Sequence, residues 1–384
     1  MQGTKLSWRR FPVAFDEGRD TSGEAGGHSR LIFFVAPADQ TWGIEEYLQQ
    51  DGIPLCHRLK TLTYDQIIAL RQVPLGTYIF GAIDQLTPTE REIAVQCCEE
   101  LSSARPDTRL LNRPTEVLSR HELLEKCFEL KRNTFRVRRA SEFYRCRHFP
   151  VFVRPDCEHG GSLTPVLYNQ RQLTQALTKT LLWGYRLRDL IIVEYCGTAD
   201  ASGIFREYCA FIVGDQIIPQ VLVHNRNWIT KWEGRLLDAE KAREQLEYVE
   251  NHPHAEWLKE TFALAKVGYG RIDYGLKDGL PQVWEVNTNP TITRRIGAPS
   301  ALTEDQWRLV GPARAGFFRR FQVALEGIDS DADPNRMIRI DVSRRQLRQM
   351  EADKRLRLRL RARKTAIALA AYAPMWLFRR LRAK

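Results

Sequence analysis

The chain has 384 residues, 43% hydrophobic and 27% charged, which is the composition of a soluble globular protein long enough for two or three domains. Its net charge of +11 would suggest nucleic acid if it were spread over the surface, but 16 Lys/Arg against 3 Asp/Glu lie between Asn335 and Lys384, leaving the other 334 residues at −2. That concentration disfavours nucleic acid as a partner of the main body, and no run reaches the roughly 20 apolar residues needed to span a bilayer. Eight scattered cysteines form no C-x-x-C pair, which predicts reduced thiols of a cytoplasmic protein. Lys5, Arg9, Arg10, Asp16 and Glu17 break up any signal-peptide core at the N-terminus.

Residues 1–28 end in a polar, Gly-rich stretch and read as a mobile segment. Strands are predicted at Leu31–Ala36, Tyr78–Ile83 and Arg109–Leu111, with helices at Thr41–Gln50, Tyr64–Leu70 and Pro88–Leu101. This alternation predicts a small parallel α/β domain over 29–112. Its first strand–helix connection lacks G-x-G-x-x-G, so nothing there supports a dinucleotide site. Beyond it, helices are expected at Glu116–Leu130, Leu173–Leu182 and Ala239–Ala265. Strands are expected at Phe149–Arg154 and Leu190–Glu194, and a hairpin at Phe205–Val213 and Gln216–Val221 turning at Gly214-Asp215. Hairpins flanked by helices predict an α+β middle and C-terminal part.

The most informative stretch is Lys266–Ile292. Gly270–Tyr274 and Gln282–Val286 alternate, and Lys277–Gly279 between them is turn chemistry, so a hairpin is predicted. It would bring Asp273, Glu285 and Asn287 together as oxygen donors of the kind a hard divalent cation takes. Arg271, two residues before Asp273, should share its face. A cationic fork beside carboxylates suits a metal-bridged anionic ligand such as a polyphosphate.

Three further features fit the same chemistry, although a strand end, a surface arginine or a rim salt bridge would account for each alone. Arg154 precedes Gly160-Gly161-Ser162, a loop whose backbone N–H groups could cradle phosphate. Glu194-Tyr195-Cys196 leaves a buried strand where backbone groups could meet a purine edge. Arg206 opens the next strand, where a positive charge could steady a phosphoryl group. No Gly-Lys dipeptide, G-x-S-x-G or H-E-x-x-H occurs, which excludes a Walker A loop and gives no sign of a nucleophile elbow or zincin helix.

R-I-D-Y-(x)9-W-E-V-N-T-N-P, running from Arg271 to Pro290, resembles the signature of the ATP-grasp superfamily, as in D-alanine–D-alanine ligase and glutathione synthetase. P-V-F-V-R-P…G-G-S and L-I-I-V-E-Y resemble that family's phosphate-contacting strand and loop and its adenine hinge, in the same order. The resemblance covers about residues 29–325. It implies a mixed α/β and α+β chain: a pre-ATP-grasp parallel α/β domain at 29–112, then an ATP-grasp fold at 113–325 whose two α+β subdomains clasp ATP. A basic, partly apolar helical tail follows at 326–384.

Residue by residue, the resemblance implies that Asp273, Glu285 and Asn287 hold Mg²⁺, with Mn²⁺ as an alternative, on the phosphates of ATP. Arg154 stands where the family has a phosphate-binding lysine, with Gly160, Gly161 and Ser162 as the closing loop. Glu194, Tyr195 and Cys196 form the hinge, and Arg206 and Arg271 face the transferred phosphoryl group. For the family's earlier lysine, Lys131, Arg136, Arg138 and Arg139 are alternatives. The implied reaction is ligation of a small-molecule or peptide carboxylate to an amine or thiol through an acyl-phosphate. The alternative is a non-ligating ATP-binding regulatory or scaffold protein tethered by its tail.

Trp228, Lys231 and Trp232 lie between hinge and hairpin and are candidates to face the acceptor, core packing being the other reading. In the tail, clusters of Lys/Arg surround the 14-residue apolar run at 365–378, which holds Tyr372, Pro374 and Trp376. An anionic membrane surface, such as the inner face of the cell membrane, and a protein partner are both open readings of it.

Overall fold

The computed structural model describes residues 31–158, 160–230, 234–292, 302–329, 336–359 and 362. The expectations for residues 1–28, for Lys231 and Trp232, and for the apolar run at 365–378 lie outside the described residues. The chain folds as a mixed α/β protein with one parallel and several antiparallel sheets.

The first unit contains β1 (Ile32–Ala36), α1 (Trp42–Gln49), β2 (Leu59–Thr63), α2 (Tyr64–Leu70), β3 (Gln72–Pro74), β4 (Thr77–Phe80), α3 (Pro88–Ala104) and β5 (Leu110–Leu111). Its parallel sheet runs β2-β1-β4-β5. Every residue of β1 and β4 is buried, as expected of apolar strands covered on both faces. Capping boxes fix the helix starts: the Thr63 hydroxyl accepts from the Gln66 N–H, and that of Thr87 from the Glu90 N–H.

A second unit follows, with α4 (Arg120–Glu129), β6 (Val137–Arg139), β7 (Val151–Pro155), α5 (Gln170–Leu182) and β8 (Leu190–Glu194). Its antiparallel sheet runs β6-β8-β7. Val151, Val153, Leu190 and Ile192 pack on Leu173 and Leu177 of α5. Alternation along the strands turns Phe152, Arg154, Ile191 and Val193 to the other face.

The third unit contains β9 (Phe205–Val213), β10 (Gln216–Asn225), β11 (Arg235–Leu236), α6 (Ala239–Asn251), α7 (Ala255–Ala265), β12 (Tyr269–Lys277) and β13 (Leu280–Asn287). They form an antiparallel sheet in the order β11-β10-β9-β12-β13. The largely helical stretch expected over Ala239–Ala265 consists of two helices: His252 takes φ +51° and Pro253 follows, lacking the N–H that continuation requires. Tyr208, Ala210, Ile212, Ile272 and Tyr274 turn one sheet face onto Leu123, Tyr248, Leu258 and Phe262 of α4, α6 and α7.

The opposite face is divided. Phe211, Val213 and Tyr269 are covered by β1 and by α8 (Glu304–Ile328), a helix that Gly311-Pro312 and Gly316 conceal in the sequence. Beyond them along the strands, Glu207, Asp273 and Glu285 are left to line a cleft.

The C-terminal part rejoins the first unit. β14 (Met337–Arg339) pairs antiparallel with β3, and residues 344–359 form a helix whose Met350 enters the core of Ile93, Ala94 and Cys97 on α3. Much of the stretch before residue 360 that the sequence reads as tail is therefore part of the body.

Asn112 joins the first and third units. With φ +62°, it donates to the carbonyls of Phe80 and Tyr269 and accepts from the N–H groups of Gly268 and Tyr269. Phe321 of α8, fully buried, completes the joint through ring contacts with Tyr47, Phe211, Tyr269 and Phe317. Phe321→Ala should therefore destabilise the protein by about 3–5 kcal/mol, read as a lower denaturant midpoint in equilibrium unfolding.

Candidate functional site

The hairpin of β12 and β13 turns at Asp278-Gly279, both at positive φ, as a two-residue turn of the primed type requires. Counting back from Lys277↔Leu280, an unbroken register would set Asp273 opposite Trp284 and turn Glu285 toward the core. Instead the register shifts between Asp273 and Tyr274, so that Tyr274 pairs with Val283, Asp273 with Glu285, and Arg271 with Asn287. Trp284 is the extra residue of a β-bulge. The bulge allows Val283 to be buried in the core while Glu285, two residues on, faces the cleft. The strands approach closely here, since a Cβ on Gly270 would lie 2.6 Å from the Asn287 carbonyl oxygen.

Asp273, Glu285, Asn287 and Arg271 thus share one face, as the sequence predicts, and all four line a cleft of about 970 Å³. Arg271 grips Asp273 with two bonds, Nε–Oδ1 at 2.7 Å and Nη2–Oδ2 at 2.9 Å. Burial works against the charge on Arg271, but Asp273 outweighs it, and the guanidinium pKa is raised. Glu207 and Cys209 on β9 and Asp273 hold ligand atoms within 4.8 Å of one another. Burial and then Asp273 push the Cys209 thiol up.

The facing wall comes from the second unit. Arg154 Nη2 lies 2.6 Å from Glu285 Oε2, and Arg120 Nη2 lies 2.8 Å from the same oxygen. Arg120 is buried at the start of α4, and its Nη1 donates to the carbonyls of Pro155, Asp156 and Glu158. Burial lowers the pKa of Arg154, with Glu285 opposing and Arg120 adding to the effect. Two guanidiniums drawing on one carboxylate make this wall electropositive, a setting that favours an anion.

Ser162 donates its hydroxyl to the carbonyls of Val153 and Thr164, which folds the loop back along β7, and Gly161 adopts φ +90°. Gly161 and Ser162 line the cleft. A Cβ on Gly160 would meet nothing within 4 Å.

The cleft also has an apolar wall of Phe152, Val193, Tyr195, Cys196 and Trp228. The Trp228 ring stands 4.9 Å from Phe152 and edge-on to Tyr195 at 5.5 Å. At the hinge the Glu194 carboxylate accepts from the Arg136 N–H, and the Tyr195 N–H donates to the Pro150 carbonyl. The Cys196 sulfur lies 3.7 Å from the Thr134 hydroxyl.

Arg206 is placed differently from the other site residues. It is even-numbered on β9 and so starts from the opposite strand face to Glu207 and Cys209, although it too lines the cleft. Its Nη1 bonds Asp200 at 2.5 Å and its Nε bonds Glu244 at 2.7 Å. None of Lys131, Arg136, Arg138 and Arg139 is among the described lining residues. Arg136 lies over the Phe128 ring, and Arg139 pairs with Asp156. The cation that reading the sequence missed is Arg120. Its signal was the capping box Ser119-x-x-Glu122, which starts the helix at Ser119 and not at Glu116.

Arg120→Met would leave three carbonyls without their donor and Glu285 without one of its two arginines. A loss of about 3–5 kcal/mol in urea unfolding is expected. Glu244 supplies a pH test. The hydrogen bond from His224 at 2.8 Å, and then Arg206, outweigh burial and hold its carboxyl at about 2, below the ordinary 4.5. A depressed carboxylate stabilises the fold above its unfolded pKa and loses that contribution as pH falls through its folded value. Glu244→Gln should therefore cost about 1–2 kcal/mol at pH 7, after allowance for its partial exposure. That deficit should shrink between pH 4.5 and about 2, as thermal melts across this range would show.

No protein-family model and no curated protein matches the chain. Among solved structures it is similar to D-alanine–D-alanine ligase from Bacillus anthracis complexed with ATP, at 14% identity over 78% of this chain and 99% of that one, with a TM-score of 0.43. A RimK domain ATP-grasp protein from Sphaerobacter thermophilus is similar at 14% identity, over 76% and 98% of the two chains, with a TM-score of 0.44. The ATP-grasp ligase PsnB, complexed with precursor peptide PsnA2 and AMPPNP, is similar at 11% identity, over 70% and 91%, with a TM-score of 0.39. Two of these three, the RimK domain protein and PsnB, carry the ATP-grasp name.

Proposed function

We propose that the chain is an ATP-dependent carboxylate–amine ligase of ATP-grasp type. The observation that carries this reading is the convergence of Asp273, Glu285 and Asn287 with Arg271 and Arg154 in one cleft that also offers an aromatic wall, with Arg120 buried behind Glu285. A nucleotide needs both surfaces: an apolar face for the base and fixed positive charge for the polyphosphate.

The donor set fits a hard divalent cation. Two carboxylates directly opposed across the hairpin and an amide two residues on provide oxygen ligands on a single face. Asp273, Glu285 and Asn287 would hold Mg²⁺, or Mn²⁺, which when bound would supply neutralisation of phosphate charge.

The chain's own residues do the rest. Arg154 offers the polyphosphate a pre-placed guanidinium, Gly161 and Ser162 line the same cleft, and Arg120 behind it holds Glu285 in place. Arg271, fixed by Asp273, presents its charge where a phosphoryl group moves to a carboxylate, and again where the acyl-phosphate meets an amine. Arg206, satisfied by two carboxylates, is assigned to bracing β9 against α6 rather than to chemistry. The substrates are a small-molecule or peptide carboxylate and an amine.

Carboxylate-dependent release of ADP, screened over amino-acid and peptide carboxylates with amine acceptors, tests the reading. Glu285→Gln should lower kcat/KM on the order of 10²–10³-fold, the size of losing one group that stabilises transition-state charge. Nucleotide binding that needs no divalent cation and is unchanged in Glu285→Gln would refute it.

A further inference from the structure

The helix over 344–359 has two unlike sides. Its inner side is pinned to the first unit. Met350 and Asp353 are buried, the Asp353 carboxylate accepts from the Thr89 hydroxyl at 2.8 Å, Lys354 pairs with Asp65, and Arg357 pairs with Glu90 at 2.7 Å. These contacts fix the rotation of the helix about its axis. The side turned away from the body is therefore set by the fold.

That outer side is basic. Arg344, Arg348, Arg355 and Arg359 are exposed and lie 4, 7 and 4 residues apart, which puts them in one stripe at 3.6 residues per turn, with Glu351 as the one exposed acidic residue in the seven-residue gap. Among the described residues none of the four has an ion-pair partner. Arg345 at the edge of the stripe pairs only with exposed Glu92, at 3.4 Å. Leu356 and Leu358, 55% and 65% exposed, flank the stripe. In sequence the helix is followed by Arg361, Arg363 and Lys364 and by the apolar run at 365–378, all of which lie outside the described residues.

We infer that this face docks on an anionic lipid surface. A row of unpaired guanidiniums matches a layer of acidic headgroups, and Leu356 and Leu358 beside it suit the boundary between headgroups and acyl chains. A nucleic-acid backbone would engage the arginines but offers the leucines little apolar surface. No helix among the described residues is long and apolar enough to cross a membrane, so the contact would be peripheral. The inference is independent of the cleft chemistry, and it would present the first unit to the lipid.

Sedimentation of the full-length protein with phosphatidylcholine vesicles, with and without about a third phosphatidylserine, tests it. Binding is expected only to the anionic vesicles. It should weaken at least tenfold in Arg344→Glu/Arg348→Glu/Arg355→Glu and fall steeply with added salt. Thermal midpoint and ATP turnover of the variant should be unchanged. If the glutamates lower the midpoint, the triple glutamine variant replaces it in the comparison. Equal binding by parent and variant, equal binding to neutral vesicles, no binding, or release from anionic vesicles by equimolar single-stranded RNA would each overturn the proposal.

Discussion

One inserted residue decides whether the cleft carries its chemistry. Val283 and Glu285 are two apart on β13 and would share a face in a regular strand. Because Trp284 is bulged, Val283 joins Tyr274 in the core and Glu285 faces Asp273. The cost of burying an unpaired carboxylate makes the unbroken register unfavourable, because Glu285 would then enter the apolar layer beneath α4 and α7. The two-residue turn at Asp278-Gly279 fixes the pairing on one side of the bulge. The close passage of Gly270 by the Asn287 carbonyl marks it on the other.

The site is electrostatically prepared before any ligand arrives. Each hairpin carboxylate is held by arginine, Asp273 by Arg271 on its own strand and Glu285 by Arg154 and Arg120 from the other wall. The second arrangement ties the two halves of the cleft together through a single oxygen. Buried pairs of this kind recover little net stability over an apolar core. Their value lies in holding charged groups at fixed positions where charge is to be handled. An arginine in place of the lysine that the resemblance leads one to expect at position 154 fits this arrangement. A planar guanidinium can keep one N–H on Glu285 and present others to a phosphate, which a single ammonium does less readily.

Much of this was legible in the sequence where local rules dominate. β8 and β9 fall at the residues that alternation and turn chemistry predict, and so does the Gly214-Asp215 turn. The face shared by Arg271 and Asp273 follows from strand periodicity alone. Features that depend on the rest of the chain were not legible. Nothing local marks Trp284 as bulged, since its reason is the core position required by Val283. Arg120 looks like a surface residue at a helix start until β7 is folded over it. Arg206 lines the cleft as the sequence leads one to expect, but its pairing with Asp200 and Glu244 depends on the loop before β9 and on α6 and was not legible. Helix α8 escaped notice because Gly311, Pro312 and Gly316 break its pattern, although its buried face is continuous from Phe317 to Ile328.

The division of the large sheet's face explains why a cleft exists at all. α8 and β1 cover Phe211, Val213 and Tyr269, so the chain hides its apolar surface there and leaves the polar positions Glu207, Asp273 and Glu285 uncovered. The uncovered part is not loosely held. The Ile83 N–H donates to the Thr288 hydroxyl and the Asn289 amide donates to the Gln40 carbonyl, so the segment leaving β13 is bonded to the first unit on both sides of α1. Asn112 makes the corresponding link where β12 begins. Both ends of the hairpin that bears the carboxylates are thus fastened to the parallel sheet. The small sheet that carries Arg154 meets those carboxylates through arginine bonds and the Arg120 bridge. An opening of the cleft to admit nucleotide would therefore fall most naturally between the small sheet and the hairpin, where charged hydrogen bonds can be exchanged for bonds to phosphate, and not between the hairpin and the first unit, where buried backbone groups would lose their partners.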